Sequence, residues 1–495
     1  MPVYALEIIV VALGILMLML DAFAKLEDKR SIAWLGMLGL IVVFGLLFRV
    51  EMPDAEAAKA SFWNFYSPTG GLSLYFKGIA VLTTIIVLIM AADHSPVIVS
   101  NTANPEPGAH PQAGLGEFFA LPLFACAGLM WMASANNLVS IFVSLELVTI
   151  TFYVLVAYMR RNVGSLEAGV KYLILGALST GFLVYGFAWL FGITGSMDLG
   201  EIKTALADSS VNPTAALFAF ALILVAMAFK VGAAPFHMWV PDVYQGAPTP
   251  ITAFLSVGSK AAGFVVFIRL SGMFLSSEFL VGKVSMILGV IAVLTLLIGN
   301  LVAIPQKNFK RLLAYSSIAH AGFLIMALAC SPKVSKAGES LSPTNVIAFY
   351  LGAYLLMTLL AFLVMTTVRR RVSGEDFDAY KGLAKRSPFL AFALLISMAS
   401  LAGIPLTAGF FGKLFVFTLA VQDSQWVLLT VGLIGAAAGF YYYLKIVASM
   451  YLEKAEGSET VANYAISIPA RIAMIILIVA IIAAGVMPNL IFGLL

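Results

Sequence analysis

Long apolar segments follow one another along almost the whole chain, and they constrain its fold more than any other feature. Fourteen of them are long enough to cross a bilayer, because about 20 apolar residues span roughly 30 Å of hydrocarbon. They lie near residues 3–24, 31–50, 72–92, 116–134, 137–158, 168–193, 213–235, 249–271, 281–303, 311–329, 344–368, 388–421, 425–452 and 470–493. Charged residues make up 11% of the chain, against about 25% in soluble domains. The sequence therefore predicts an all-α, polytopic membrane helix bundle of about 14 transmembrane helices, forming a single membrane domain over residues 1–495.

The distribution of basic residues predicts the orientation of this bundle. The N-terminal segment lacks a basic start and has Asp21 where a cleavage site would need small residues, so we interpret it as the first span. Loops after odd-numbered spans hold 16 Lys and Arg residues, and the opposite loops hold 6. Because cytoplasmic loops carry the excess of Lys and Arg, we expect both termini on the periplasmic side of a bacterial inner (plasma) membrane.

Two spans carry sequences that interrupt a helix. Segment 388–421 would be about 51 Å long as one helix, and its centre is AGIPLTAG (402–409). Span seven runs into GAAPFHMWVPD (232–242). Proline and glycine break the helical hydrogen-bond ladder, and at membrane depth such breaks are tolerated inside protein or beside a watery cavity. Lys230 and Lys413 each lie within ten residues of a break, so we predict discontinuous helices at spans seven and twelve.

The five-span separation of these breaks predicts an internal repeat. Spans 4–8 (residues 116–271) and spans 9–13 (residues 281–452) would form two five-helix units. An odd number of spans per unit makes the two units inverted relative to each other. Inverted repeats with discontinuous helices are typical of transporters whose substrate path lies at the breaks.

Ionisable side chains within the spans are the candidate functional residues. Each costs about 2.5–3.5 kcal/mol on insertion scales, so each is a functional hypothesis by default. The candidates are Glu146, Lys171, Lys230, Lys260, His320 and Lys413.

Several of these residues also have a structural explanation. Lys171 lies a turn inside its span and can extend to the headgroups, as can Lys230 if its span ends at His237. Glu146 and Lys260 can form a structural ion pair, and a histidine can be simply hydrogen-bonded within the bundle.

The functional interpretation is proton transfer. Burial lowers the pKa of a lysine by up to several units, and a nearby carboxylate raises it again. Moving the carboxylate therefore switches a lysine between holding and releasing a proton. We expect Glu146, paired with Lys171, to act on Lys230 in this way. Ser316 and His320 are four residues apart on one helix face and form a candidate relay.

The sequence lacks the motifs of common cofactors. It has no GxxxxGK[ST], no GxGxxG and no CxxCH, and its two cysteines form no CxxC. His94 and His110 fit no metal-ligand spacing. We therefore expect no cofactor and no metal in this chain, and we see no nucleic-acid signal in its charges.

Two loops are unusual. Residues 93–114 hold four prolines and are predicted to be an extended cytoplasmic linker. Residues 369–387 are charged and partly amphipathic, which predicts a surface helix at the headgroups or a docking surface for a soluble partner.

Three stretches resemble one known family. Residues 116–158, the AAPFHMWVPDVYQGAPTPITAFLSVGSKAAGF stretch (233–264) and KRLLAYSSIAHAGF (310–323) are similar to the antiporter-like, proton-translocating subunits of respiratory complex I. The PFHxWxPD element also occurs in multi-subunit cation/proton antiporters. The resemblance covers nearly the whole chain and implies a fourteen-helix fold with inverted repeats.

The resemblance also implies roles and partners. It assigns the family's mid-membrane charged axis to Glu146, Lys171, Lys230, Lys260 and Lys413, and a relay to His320. NAD, FMN, iron–sulfur clusters and quinone would belong to partner subunits. The partners implied are neighbouring antiporter-like membrane subunits and, indirectly, the peripheral redox arm.

Three functional classes remain open at this point. The first is a proton-translocating subunit of an NADH:quinone oxidoreductase. The second is a subunit of a multi-subunit cation/proton antiporter that has no redox partner. The third is a structural membrane spacer whose lysines only pack.

Overall fold

The computed structural model describes residues 4–24, 26–50, 64–66, 71–102, 110–208, 211–330, 341–370, 374–453 and 464–494. In these ranges 13 helices are long and apolar enough to cross a membrane. The helices are α1 (Ala5–Phe23), α2 (Arg30–Leu47), α3 (Gly71–Thr102), α4 (Leu115–Ser134), α5 (Leu138–Val156), α6 (Val163–Thr194), α7 (Leu199–Ala207), α8 (Pro213–Val231), α9 (Trp239–Gly246), α10 (Thr249–Leu275), α11 (Val281–Ala303), α12 (Phe309–Ala329), α13 (Pro343–Arg369), α14 (Leu383–Arg386), α15 (Pro388–Ala402), α16 (Ala408–Gln422), α17 (Trp426–Tyr451), α18 (Ile468–Val486) and α19 (Asn489–Phe492). The predicted all-α membrane bundle is confirmed.

Both predicted helix breaks are present. The apolar segment 388–421 folds as two short helices, α15 and α16, and Gly403, directly after the end of α15, has φ +87°. In the earlier break α8 ends at Val231, Gly232 has φ +75°, and α9 begins at Trp239. Glycine adopts these left-handed conformations without steric cost, which explains its place directly after each helix end.

The predicted linker at 93–114 is wrong over its first part. Helix α3 does not end near residue 92 but continues to Thr102 through Pro96. Pro96 cannot donate to the carbonyl of Ala92, and the Ser95 hydroxyl donates to that carbonyl instead, at 2.8 Å. The helix therefore continues past its proline. Residues 103–109 of the predicted linker lie outside the described residues.

The predicted surface helix at 369–387 is also wrong as a single element. Beyond the end of α13, residues 374–387 form a 3₁₀ turn (Phe377–Tyr380) and the four-residue helix α14. Residues 371–373 lie outside the described residues.

The chain divides into two compact units. The first runs to Val231 and resumes at Gly246–Ile287, and the second comprises Gly232–Gln245 and Leu288–Leu495. Within the first unit α6 packs against α8, and α4 packs against α1 and α5. Within the second unit α13 packs against α15, α16 and α18.

One small backbone motif recurs in the two units. In the first unit an isolated antiparallel bridge joins Asn137, at the start of α5, to Asp198, at the start of α7. In the second unit the same kind of bridge joins Asn308, at the start of α12, to Asp376. Asn308 follows Asn137 by 171 residues, and Gly403 follows Gly232 by the same 171. This common spacing supports an internal repeat.

Candidate functional site

Lys230 lies at the last turn of α8, directly before the first break. Its side chain is buried, and its Nζ donates a hydrogen bond to Thr149 Oγ1 of α5 at 3.2 Å. The lysine stem packs closely against α10, because a Cβ on Gly263 would lie 3.2 Å from Lys230 Cγ. Lys230 is therefore held centrally between helices, and the alternative in which it extends to the headgroups does not apply.

Glu146 lies one turn before Thr149 on α5 and interacts electrostatically with Lys230. Its Oε1 accepts a hydrogen bond from Thr180 Oγ1 of α6 at 2.8 Å. A small cavity of about 10 Å³, close to the least volume that holds one water molecule, is lined by Thr149, Ser179, Thr180 and Lys230 among apolar side chains. The polar lining provides the hydrogen-bond partners that a bound water needs.

Lys171 has a partner on its own helix. It forms an ion pair with Glu167, one turn earlier on α6, at 2.7 Å, and its side chain is 42% exposed. This is a local i,i+4 pair, which α-helical geometry favours, and the pairing of Lys171 with Glu146 stays a prediction. Glu146 accepts a hydrogen bond from Thr180 and interacts electrostatically with Lys230.

Lys260 is buried in α10, the most completely enclosed part of the first unit. A single π-helical turn, Leu255–Ser259, immediately precedes it. Such turns insert an extra residue into a helix and occur frequently at functional sites. The buried position agrees with a role in charge transfer inside the first unit.

Lys413 lies on α16, after the second break, and reaches back across it. Its Nζ donates to the carbonyl oxygens of Leu401 and Ala402 at 2.9 and 2.8 Å. These carbonyls end α15, where the helix dipole favours a positive charge. The ammonium also lies 5.6 Å from the centre of the Phe323 ring. The break thus creates the acceptors that hold this buried lysine.

The two lysines are not equivalent in the repeat. Lys230 precedes its break, whereas Lys413 follows its own. By the 171-residue spacing, Lys230 corresponds to Leu401, and the carbonyl of Leu401 binds the Lys413 ammonium. The same spacing relates Thr149, the partner of Lys230, to His320.

His320 lies on α12 at the centre of a hydroxyl network. Its Nδ1 is 2.7 Å from the Tyr350 hydroxyl and its Nε2 is 3.1 Å from the Tyr443 hydroxyl. Tyr443 also hydrogen-bonds Ser316, so the predicted Ser316–His320 pair is joined through a tyrosine. A Cβ on Gly412 would lie 3.1 Å from the Tyr350 ring, which places Tyr350 against α16 beside Lys413.

The sequence analysis missed the tyrosines and threonines of these networks. Tyr442 and Tyr443 are each 1% exposed, whereas the neighbouring Tyr441 is 60% exposed. Hydroxyl groups inside an apolar span need buried hydrogen-bond partners. Tyrosines and threonines within the spans are therefore the sequence feature that could have identified these networks.

No group of three or more His, Cys, Asp or Glu side chains is placed to hold a metal ion within the described ranges. The two cysteines, Cys126 and Cys330, are buried and free.

Buried lysines at broken helices define the class of membrane proteins that move ions by rearranging charge near the bilayer midplane. The family described as "NADH:quinone oxidoreductase/Mrp antiporter, TM" matches residues 135–439. The chain belongs to this family.

Relatives that are 36% and 40% identical carry related names. The chain is 36% identical to "NADH-quinone oxidoreductase subunit N" of Trichlorobacter lovleyi, over 98% of this chain and 94% of the relative. It is 40% identical to "NADH-quinone oxidoreductase subunit N 2" of Solibacter usitatus, over 85% of this chain and 80% of the relative.

Two solved structures share the fold. A chain of respiratory complex I from Thermus thermophilus is 30% identical, with a TM-score of 0.77 over 99% of this chain and 98% of that chain. A chain of the archaeal membrane-bound sulfane sulfur reductase matches with a TM-score of 0.82 at 22% identity, over 99% of this chain and 96% of that chain. The second match concerns the fold alone.

Proposed function

We propose that this chain is a proton-translocating membrane subunit of a respiratory NADH:quinone oxidoreductase. The observation that carries the proposal is the pair of buried lysines at helix breaks, in a chain similar over nearly its full length to relatives named as subunit N of that oxidoreductase. Redox chemistry in partner subunits would supply the driving energy. NAD, FMN, iron–sulfur clusters and quinone belong to those partners.

The proton-carrying groups are Glu146, Lys171, Lys230, Lys260, His320 and Lys413. Each buried lysine accepts a proton on Nζ as its surroundings favour the ammonium and returns it to water or a hydroxyl when they do not. For Lys230 the adjustable group is Glu146, whose negative charge favours the ammonium. For Lys413 it is the end of α15, whose carbonyls favour the ammonium. His320, between two tyrosine hydroxyls, passes protons by exchanging which ring nitrogen carries one.

Lys171 has a different place in this scheme. The exposed pair of Lys171 with Glu167 lies on the outer face of α6. We therefore assign Lys171 a role in exchanging protons with neighbouring groups on that face. In the assembled oxidoreductase, other membrane subunits, especially antiporter-like ones, are the expected neighbours.

The proposal also covers the location of the protein in the cell and its internal repeat. We propose a multi-pass protein of the bacterial inner membrane with both termini periplasmic. We also propose that residues 116–271 and 281–452 are inverted repeats, which the recurrent bridges and the 171-residue spacing support.

Purification from the native membrane in mild detergent tests the proposal. We expect the chain to co-purify with flavin and iron–sulfur subunits, and vesicles containing the complex to acidify or alkalinise on NADH addition. A chain that purifies without redox subunits and exchanges Na⁺ for protons without NADH would instead be a subunit of a cation/proton antiporter.

A further inference from the structure

A second group of buried charges lies outside the residues described so far. Glu7 is the third residue of α1, Lys77 is the seventh residue of α3, and Arg269 lies six residues before the end of α10. Glu7 Oε1 is 2.7 Å from Lys77 Nζ, and both side chains are 0% exposed. At 1.5 Å per residue, Lys77 and Arg269 lie about 9 Å from the start of α3 and the end of α10.

This ion pair has unused hydrogen-bonding capacity. A carboxylate has about four acceptor sites and an ammonium has three donors. Apart from the ion pair and a contact of the Glu7 carboxylate with its own backbone N–H, neither the Glu7 oxygens nor Lys77 Nζ hydrogen-bonds any part of the chain that the structure describes. Buried polar groups left without protein partners are normally satisfied by ordered water. Ordered water would therefore bind at these unused positions of the pair.

Arg269 makes the charge balance of this group uneven. Its guanidinium donates to Ala133 O at 2.6 Å, to Ala135 O at 2.7 Å and to Ser73 Oγ at 2.9 Å. All three partners are neutral, and Arg269 interacts electrostatically with Lys77. The group thus has two cations for one carboxylate. The thiol of Cys126 on α4 also interacts electrostatically with Glu7.

Glu7 and Arg269 have opposite effects on the protonation of Lys77 Nζ. Glu7 favours a proton on Lys77 Nζ, and Arg269, which stays protonated, disfavours it. Loss of that proton leaves Arg269 and Glu7 as one cation and one anion, so the group becomes neutral overall. A purely structural pair has little reason to be ionic here, because buried ion pairs contribute weakly to stability.

We propose that Lys77, with Glu7 and Arg269, is a second proton-holding site in the first unit, separate from the lysines at the helix breaks. Loading forms one N–H bond on Lys77 with a proton taken from bound water. Release returns that proton to water, and no other bond changes. The inference rests on the proposed function, since a proton-holding site matters in a chain that moves protons.

The discriminating variant is Glu7→Asp/Lys77→Arg in the complete oxidoreductase, reconstituted in liposomes. Arginine keeps the ion pair and its charge but does not release its proton, and the shorter aspartate makes room for it. We expect at least a twofold fall in protons moved per NADH oxidised. The matched control is Asp21→Asn/Lys29→Gln, which removes the 2.6 Å pair at the other end of α1, and its pumping should be unchanged.

Full pumping by an assembled Glu7→Asp/Lys77→Arg complex would overturn the proposal, because a structural role needs only the pair. If this variant does not assemble, Glu7→Gln/Lys77→Met decides, since it removes both charges together. The proposal predicts that this neutral pair assembles and pumps at least twofold less. Failure of both variants to assemble, with the control assembling, would make the pair structural. Lys413→Met is measured in parallel as a test of the proposed function. Its result distinguishes a failure of the proposed function from a failure of this site.

Discussion

The hydrogen bond between Lys230 and Thr149 provides a sharp test of how the first break holds a proton. Thr149→Val replaces a hydroxyl by a methyl group of nearly the same shape. The hydroxyl accepts from Lys230 Nζ at 3.2 Å and donates to the Leu145 carbonyl within α5 at 2.7 Å. The helix keeps its backbone bonds, so the complex should assemble normally.

The expected magnitude follows from the charge on Lys230. A hydrogen bond to a charged group contributes about 1.5–3 kcal/mol. The variant removes this contribution from the loaded lysine and leaves the unloaded lysine almost unaffected. The proton affinity of Lys230 should therefore fall on the order of 10- to 150-fold, at 1.4 kcal/mol per tenfold change.

The assay is NADH-driven pH-gradient formation in liposomes that contain the purified complex, with NADH oxidation measured in the same sample. We expect slower pumping for Thr149→Val, partly recovered at lower external pH because a higher proton concentration refills the weakened site. Thr151→Val is the matched control, since its hydroxyl donates to the Leu147 carbonyl of the same helix and hydrogen-bonds no lysine among the described residues. Equal pumping by both variants at every pH would refute the reasoning.

Three further variants test other parts of the site. Thr180→Val removes the hydrogen bond to Glu146, which contributes about 1.5–3 kcal/mol, and should slow pumping severalfold. An unchanged pumping rate would exclude a positioning role for Thr180. Tyr443→Phe removes the hydroxyl that hydrogen-bonds His320 and should slow pumping. Tyr441→Phe, at an exposed position, should pump normally, and equal pumping rates of the two variants would count against the network. Gly403→Ala places an alanine at φ +87° and should destabilise the protein by about 1–2 kcal/mol. The purified complex should then have a lower melting temperature, and an unchanged melting temperature would contradict the strain.

The fold was largely predictable because hydropathy and helix breakers act locally. Apolar length identified the spans, and the glycine–proline sequences located both breaks. The end of α3 was missed because Ser95 supplies a hydrogen bond that compensates for Pro96, a detail that a proline count does not contain.

The site was less predictable because its partners are distant in sequence. The burial of Lys230, Lys260 and Lys413 agrees with their unusual position within apolar spans. The partners of His320 are 30 and 123 residues away, on helices that only the fold brings together. The pair of Lys171 with Glu167 was not predicted, although an i,i+4 partner costs little chain entropy to reach.

The most direct test of the account replaces the two lysines at the breaks. Lys230→Met and Lys413→Met keep the length and apolar stem of each side chain and remove its proton-carrying group. Lys445→Met, on α17 and outside the proposed site, is the control. We predict that complexes with either lysine variant assemble but lose most of the protons moved per NADH oxidised, while the control pumps normally. Wild-type pumping by both assembled lysine variants would contradict the central claim that these lysines carry the protons.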